Sequence, residues 1–164
     1  MVEEASSAEK KLREWLSGAE RVVVAGVGNP IRMDDSVGIK VIQDLRGRVS
    51  GNVLLVECET VPENFFQQIV DFKPSHVLIV DAAVMGLEPG EYRFVRSEHL
   101  RVFPAISTHM LPLRVFCDYL AETVGAKVAL LLIEPKNVDF GEGLSEEVEA
   151  ASCRIVDFLA KILP

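Results

Sequence analysis

The sequence predicts a doubly wound α/β sheet with helices on both faces. Three observations carry that expectation. Apolar, β-branched-rich runs recur at intervals that suit strands. Between most of them lie segments whose apolar residues repeat every three or four positions, as on one face of a helix. Glycine or proline punctuates most of the junctions. Strands alternating with helices over most of a chain build a largely parallel sheet sandwiched between helical layers.

Each element follows in turn. Ser7 is placed to cap a first helix over Ala8 to Ser17, with Leu12, Trp15 and Leu16 on one face and Gly18 ending it. Arg21 to Val27 is a nearly continuous apolar strand, the signature of a strand buried on both faces. A helix follows from Ser36 to Leu45, with Val37, Val41, Ile42 and Leu45 aligned. Asn52 to Glu57 forms the second strand. Pro62 and Glu63 open a third helix through Phe65, Phe66, Ile69 and Val70, closed by Pro74. His76 to Asp81 is the third strand. Glu88-Pro89-Gly90 is a turn, and Glu91 to Arg96 is a shorter, partly exposed strand. Ser97 to Ser107 is expected to be irregular. Leu111 to Thr123 reads as a helix ended by Gly125, and Lys127 to Ile133 as the most apolar strand. Glu134 to Gly143 is a long loop, and Ser145 starts a last helix whose early Glu146, Glu147 and Glu149 suit its positive end.

At 164 residues and 49% hydrophobic composition, the chain can bury one core unaided, so residues 1–164 are expected to form a single domain, with 1–20 a helical extension. The net charge of −8 argues against nucleic acid and anionic membrane as partners, though it leaves room for a locally basic face. The three cysteines, Cys58, Cys117 and Cys153, are far apart and form no CxxC pair. Reduced, mostly buried thiols are the expectation, not a disulfide framework or a zinc site. The charged N-terminus is no signal peptide and no apolar run is of membrane-spanning length, so a cytoplasmic location is expected. A monomer is also expected, although no sequence feature fixes the oligomeric state.

In such sheets ligands gather beyond the carboxyl ends of the strands, where the strand order reverses. Asn29, Asp34 and Asp35 follow the first strand, and Glu57 and Glu59 the second. Asp81 ends the third, Thr108 and His109 precede the fourth helix, and Glu134 and Asn137 follow the last strand. Several carboxylates and one imidazole suit a cation such as zinc, nickel, manganese or iron. Each residue also has a plainer reading. Gly26-x-Gly28-Asn29 lacks the third glycine of a dinucleotide loop, and Asp34 and Asp35 would repel a pyrophosphate. Asp35 can equally be a helix cap, and a lone histidine near a helix start, such as His109, is more often structural. Asp81, a carboxylate directly after four apolar residues, is harder to dismiss. His76 and His99 read as structural or surface residues.

The ordered set Gly26-x-Gly28-Asn29, Asp34-Asp35-x-x-Gly38, Pro62-Glu63-Asn64, Ile79-Val80-Asp81-Ala82, Gly86, Pro89-Gly90 and Thr108-His109-x-x-Pro112-Leu113 resembles the hydrogenase maturation endopeptidases over residues 21 to 160. These proteases trim the large subunit of [NiFe]-hydrogenases. The Asp-Asp pair and Thr-His-x-x-Pro-Leu are most similar to the branch that serves formate-hydrogenlyase-type enzymes. The resemblance implies a three-layer α/β/α sandwich around a five-stranded mixed sheet with one antiparallel strand, for which Glu91 to Arg96 is the candidate. It implies that Asp35, Asp81 and His109 are the catalytic, metal-binding residues, and that Asn29, Asp34, Glu57, Cys58 and Thr108 support them or the substrate. It implies nickel as the cofactor, supplied by the hydrogenase precursor, with other divalent metals able to occupy the site in vitro. Cleavage then releases a C-terminal peptide just after a histidine or arginine. Where many members carry Asp-Gly-Gly, this sequence has Glu57-Cys58-Glu59, which puts that loop's part in substrate contact in question.

No serine or cysteine here is accompanied by a legible base, and there is no HExxH helix, so metal-assisted attack by water is the remaining route to amide hydrolysis. Three alternatives stay open at this level: a flavodoxin-like small-ligand module, a hydrolase with its own permanently bound divalent metal, and a metal-binding protein that never cleaves.

Overall fold

The computed structural model describes residues 2–105 and 109–164. Five strands form one sheet: β1 (Val22–Val27), β2 (Val53–Glu59), β3 (His76–Ala82), β4 (Tyr92–Arg96) and β5 (Lys127–Ile133). Their spatial order is β2-β1-β3-β5-β4, parallel throughout except for β4, which runs antiparallel to β5. The mixed sheet and its one reversed strand are as expected. The chain leaves β1 for β2 on one side and returns to β3 on the other, so the order reverses between β1 and β3.

The helices are α1 (Val2–Trp15), α2 (Val37–Leu45), α3 (Phe66–Phe72), α4 (Met110–Val124) and α5 (Glu146–Ile162). Alternate strand residues face two separate cores. Val22, Val24, Leu78, Val80, Leu131 and Ile133 pack with Leu12, Ile42, Leu45 and Ile155 of α1, α2 and α5. Val23, Ala25, Val77, Ile79, Leu130 and Leu132 pack with Ile69, Leu113, Cys117 and Leu120 of α3 and α4. The two-residue period of the strands thus builds the three layers.

Local boundaries differ from the sequence reading in ways that have physical causes. Ser7 does not cap α1; it lies exposed inside a helix that already begins at Val2, extended by the helix-forming Glu3-Glu4-Ala5. Short 3₁₀ turns precede two helices, Met33–Ser36 before α2 and Pro62–Phe65 before α3. Lys73 ends α3 in the left-handed conformation, next to the predicted stop at Pro74. β2 runs two residues past Glu57 because it bulges against β1: Gly26 faces Glu57, but Val27 faces Glu59. The segment expected to be irregular holds a 3₁₀ turn at Ser97–His99, and its end, Ile106 and Ser107, lies outside the described residues.

Candidate active site

Three side chains meet at the β1/β3 crevice, each delivered differently. Asp81 is the penultimate residue of β3 and follows the parity of Val77 and Ile79, so it faces the α3/α4 side. It is fully buried, and its Oδ1 accepts the Ala82 amide at 2.9 Å. His109 occupies the N-cap position of α4, whose first turn is closed by the Leu113 amide on the His109 carbonyl. Its ring is 7% exposed, with Nδ1 3.4 Å from Asp81 Oδ1. Asp35 sits in the 3₁₀ turn after β1, half-buried, with its Oδ2 accepting the Asn29 amide at 3.1 Å. One ligand atom from each of Asp35, Asp81 and His109 lies within 4.8 Å of the others.

Glycine lets the first loop reach that position. A Cβ on Gly28 would collide with the Asp35 carbonyl oxygen, and one on Gly38 with the Val80 carbonyl oxygen of β3. Only glycine permits such close backbone approach.

The electrostatics favour a positive charge at the centre. Burial pushes the Asp35 carboxyl above its usual value, against the opposing influence of His109, the Asn29 amide and Arg32. The hydrogen bond with Asp81 holds the His109 imidazole above its usual value in spite of burial, and the charges of Asp81 and Asp35 add to this. An imidazolium between two carboxylates and a divalent cation among the same donors answer the same field. Two carboxylate oxygens and an imidazole nitrogen form a donor set that zinc, nickel or iron accepts.

The other candidates are placed elsewhere. Asn29 braces the loop twice, through its amide on Asp35 and through Oδ1, which accepts the Ile31 amide. Asp34 turns away from Asp35 and is fully buried against the loop after β5. Glu57 is not brought to the cluster; it pairs with Arg46 at 3.4 Å. Cys58 is buried in the α3/α4-side core, and burial pushes its thiol up to about 12. Glu59 adopts φ +51, a left-handed conformation that glycine would take more easily, and its carbonyl accepts the Gly28 amide. Thr108 lies outside the described residues. Glu134 is engaged by the backbone: its Oε1 accepts the Met85 and Leu87 amides and fastens the loop after Asp81. Arg32 escaped the sequence reading. It lies close enough to act on the Asp35 charge, and its nearness in sequence was the only signal.

A sequence profile of the hydrogenase maturation protease HycI matches residues 39–162. The hydrogenase 3 maturation protease of Escherichia coli K12 is 32% identical over 129 residues, spanning 79% of this chain and 82% of that one. The chain belongs to the hydrogenase maturation proteases. It is therefore a peptidase. The crystal structure of HycI from Thermococcus kodakarensis superposes with a TM-score of 0.85 at 34% identity, covering 93% of this chain and 98% of that one. The solution structure of the E. coli endopeptidase HycI gives 0.74 at 30% identity, over 84% and 87%. The profile spans Asp81 and His109 and begins four residues after Asp35. No helix among the described residues of this protease is long and apolar enough to cross a membrane.

Proposed function

We propose that this protease removes a C-terminal peptide from the precursor of a [NiFe]-hydrogenase large subunit, and that it acts on precursor already loaded with nickel. The observation that carries the reading is the convergence of Asp35, Asp81 and His109 within 4.8 Å. In this reading the nickel is part of the substrate, and Asp81, His109 and Asp35 supply the oxygen and nitrogen atoms that receive it. The cation polarises the scissile carbonyl and lowers the pKa of an attacking water.

The residues divide the remaining work. Asp81, fully buried and hydrogen-bonded to the Ala82 amide, is a fixed ligand. Asp35 is the more accessible carboxylate, and burial has already raised its proton affinity, so it takes the proton from water and returns it to the leaving amine. Cysteine attack is disfavoured because the buried Cys58 and Cys117 thiols are both pushed up to about 12.

The test is mass spectrometry of a candidate precursor incubated with the protease, with and without nickel. Loss of a C-terminal peptide only from nickel-loaded precursor is the expected result. Equal cleavage of nickel-free precursor would refute the nickel requirement. A stoichiometric metal in freshly purified protease would favour a resident catalytic ion.

A further inference from the structure

Of the three clustered side chains, Asp81 is fixed by the register of β3 and His109 by the start of α4. Asp35 stands on neither a strand nor an α-helix; it sits in the four-residue 3₁₀ turn Met33–Ser36 that leads into α2, with the Asn29 amide on its Oδ2. The residue before it ties that turn to a distant loop through a carboxylate that accepts four hydrogen bonds.

Asp34 Oδ2 accepts the Lys136 amide at 2.9 Å, the Asn137 amide at 2.9 Å and the Ser145 hydroxyl at 2.8 Å. Its Oδ1 accepts the Ser145 amide at 2.7 Å. Its own amide donates to the Asn137 carbonyl at 2.9 Å. All of these partners lie on the loop between β5 and α5 or at the N-cap of α5. The same two loops are joined by the Met33 amide on the Gly141 carbonyl, the Gly141 amide on the Ile31 carbonyl, and Arg32 Nε on the Val138 carbonyl. Asp34 itself is fully buried. A fully satisfied buried carboxylate is costly to disturb, because removing an acceptor strands its donors without water.

From this we infer that Asp34 is the positioning residue for Asp35. It clamps the first loop to the β5–α5 loop from the protein side, so that the next residue is held facing Asp81 and His109. It touches neither substrate nor metal. The inference rests on the cation reading of the cluster. Asp34→Asn keeps the shape but replaces an acceptor by an amide group, which then opposes one of the backbone donors. Groups that orient a metal ligand cost roughly 10–100-fold in affinity when altered.

The experiment is a Ni²⁺ titration of the purified protein, with no precursor, followed by paramagnetic broadening of the His109 ring protons. Thermal unfolding is measured in parallel. Asp34→Asn is expected to weaken Ni²⁺ binding by roughly tenfold or more. Ser145→Ala, which removes only the hydroxyl bond to Asp34, is expected to weaken it less and in the same direction. Val128→Ala, a core change at the far end of β5, is the control for lost stability and is expected to bind Ni²⁺ as wild type does. Wild-type affinity in a folded Asp34→Asn would overturn the inference and leave the cation reading standing. If Asp34→Asn fails to fold, Ser145→Ala decides: wild-type affinity there overturns the inference. Equal weakening in Val128→Ala would overturn it too, by showing that affinity merely follows stability. Failure of the wild-type protein to bind Ni²⁺ at these residues would overturn this inference, which is about affinity in the free protein, and would leave the reading of precursor-borne nickel to the trimming experiment.

Discussion

The two ends of β3 each have a buried histidine beside them, and the two are tuned in opposite directions. At the amino end His76, 4% exposed, packs edge-on against Trp15 at 4.8 Å, with Nδ1 2.9 Å from the Ser75 hydroxyl. Burial holds its imidazole below the usual value, the charge of Lys127 adds to that, and a backbone contact with Trp15 opposes it. At the carboxyl end His109, 7% exposed, faces Asp81 and Asp35 and is held above the usual value. Both rings are buried, so desolvation penalises the charged form of each. The carboxylates make the difference. Burial dominates at one histidine, packed under α1, and two carboxylates dominate at the other.

The sharpest way to break this comparison is to remove each ring in turn. His109→Ala and Asp81→Asn are expected to lower kcat/KM for precursor trimming by roughly 10²–10⁴-fold, the range for loss of a group engaged in proton transfer or charge stabilisation. His76→Gln is expected to leave trimming within about threefold of wild type, since most single changes away from a site act on stability alone. If His76→Gln lost as much activity as His109→Ala at equal folded fraction, the division between the two ends would be wrong.

Glycines give a second, smaller contrast between the same two ends. Gly28→Ala places a Cβ against the Asp35 carbonyl oxygen. It is expected to cost about 1–3 kcal/mol, in the range of backbone strain at a special site. Because the loop must shift to relieve the clash, trimming is expected to fall by more than the lost stability explains. Gly51, before β2 at the amino end, has open space around its Cβ position and no left-handed φ. Gly51→Ala should therefore stay within about 0.5 kcal/mol of wild type and keep full activity. Urea unfolding and single-turnover cleavage of both variants would check this.

How much of this could be read from the sequence depends on whether a local pattern determined the answer. The strands were legible because a buried parallel strand needs an unbroken apolar run, and Val22–Val27, His76–Ala82 and Lys127–Ile133 supply one. Asp81 stood out as a carboxylate closing an apolar strand, whereas the helix start alone gave His109 a structural reading and only the family resemblance joined it to Asp81. Asp34 and Asp35 were told apart only by the family resemblance, which gave the site to Asp35; no local pattern separated them. Adjacent, chemically identical residues in a turn point in different directions, and only the distant Lys136, Asn137 and Ser145 decide which is buried. Cys58 looked close to the site in sequence but is packed in the α3/α4-side core, because it shares the parity of Leu54 and Val56 along β2. The two histidines could be told apart only through the end of the sheet each occupies.

The gentlest probe of the comparison is the pH dependence of stability in metal-free protein. His76 has a folded-state pKa below its unfolded value of about 6.5. Below that pH the unfolded chain binds a proton more readily than the folded one. Stability from keeping this ring neutral is therefore full above about pH 6.5 and is lost as pH falls through the folded pKa. Carboxylates add their own loss at still lower pH. Glu9, for example, is disfavoured by burial but held below its usual value by hydrogen bonds from Arg154 and Tyr92, so its contribution is present above about pH 4.5 and disappears below it. His76→Gln is expected to flatten the urea-unfolding free energy between about pH 6.5 and 5 and to leave the steeper loss below pH 4.5 in place. A wild-type slope in that upper window after the substitution would mean that some other group titrates there, and that His76 is not the neutral, burial-dominated counterpart of His109.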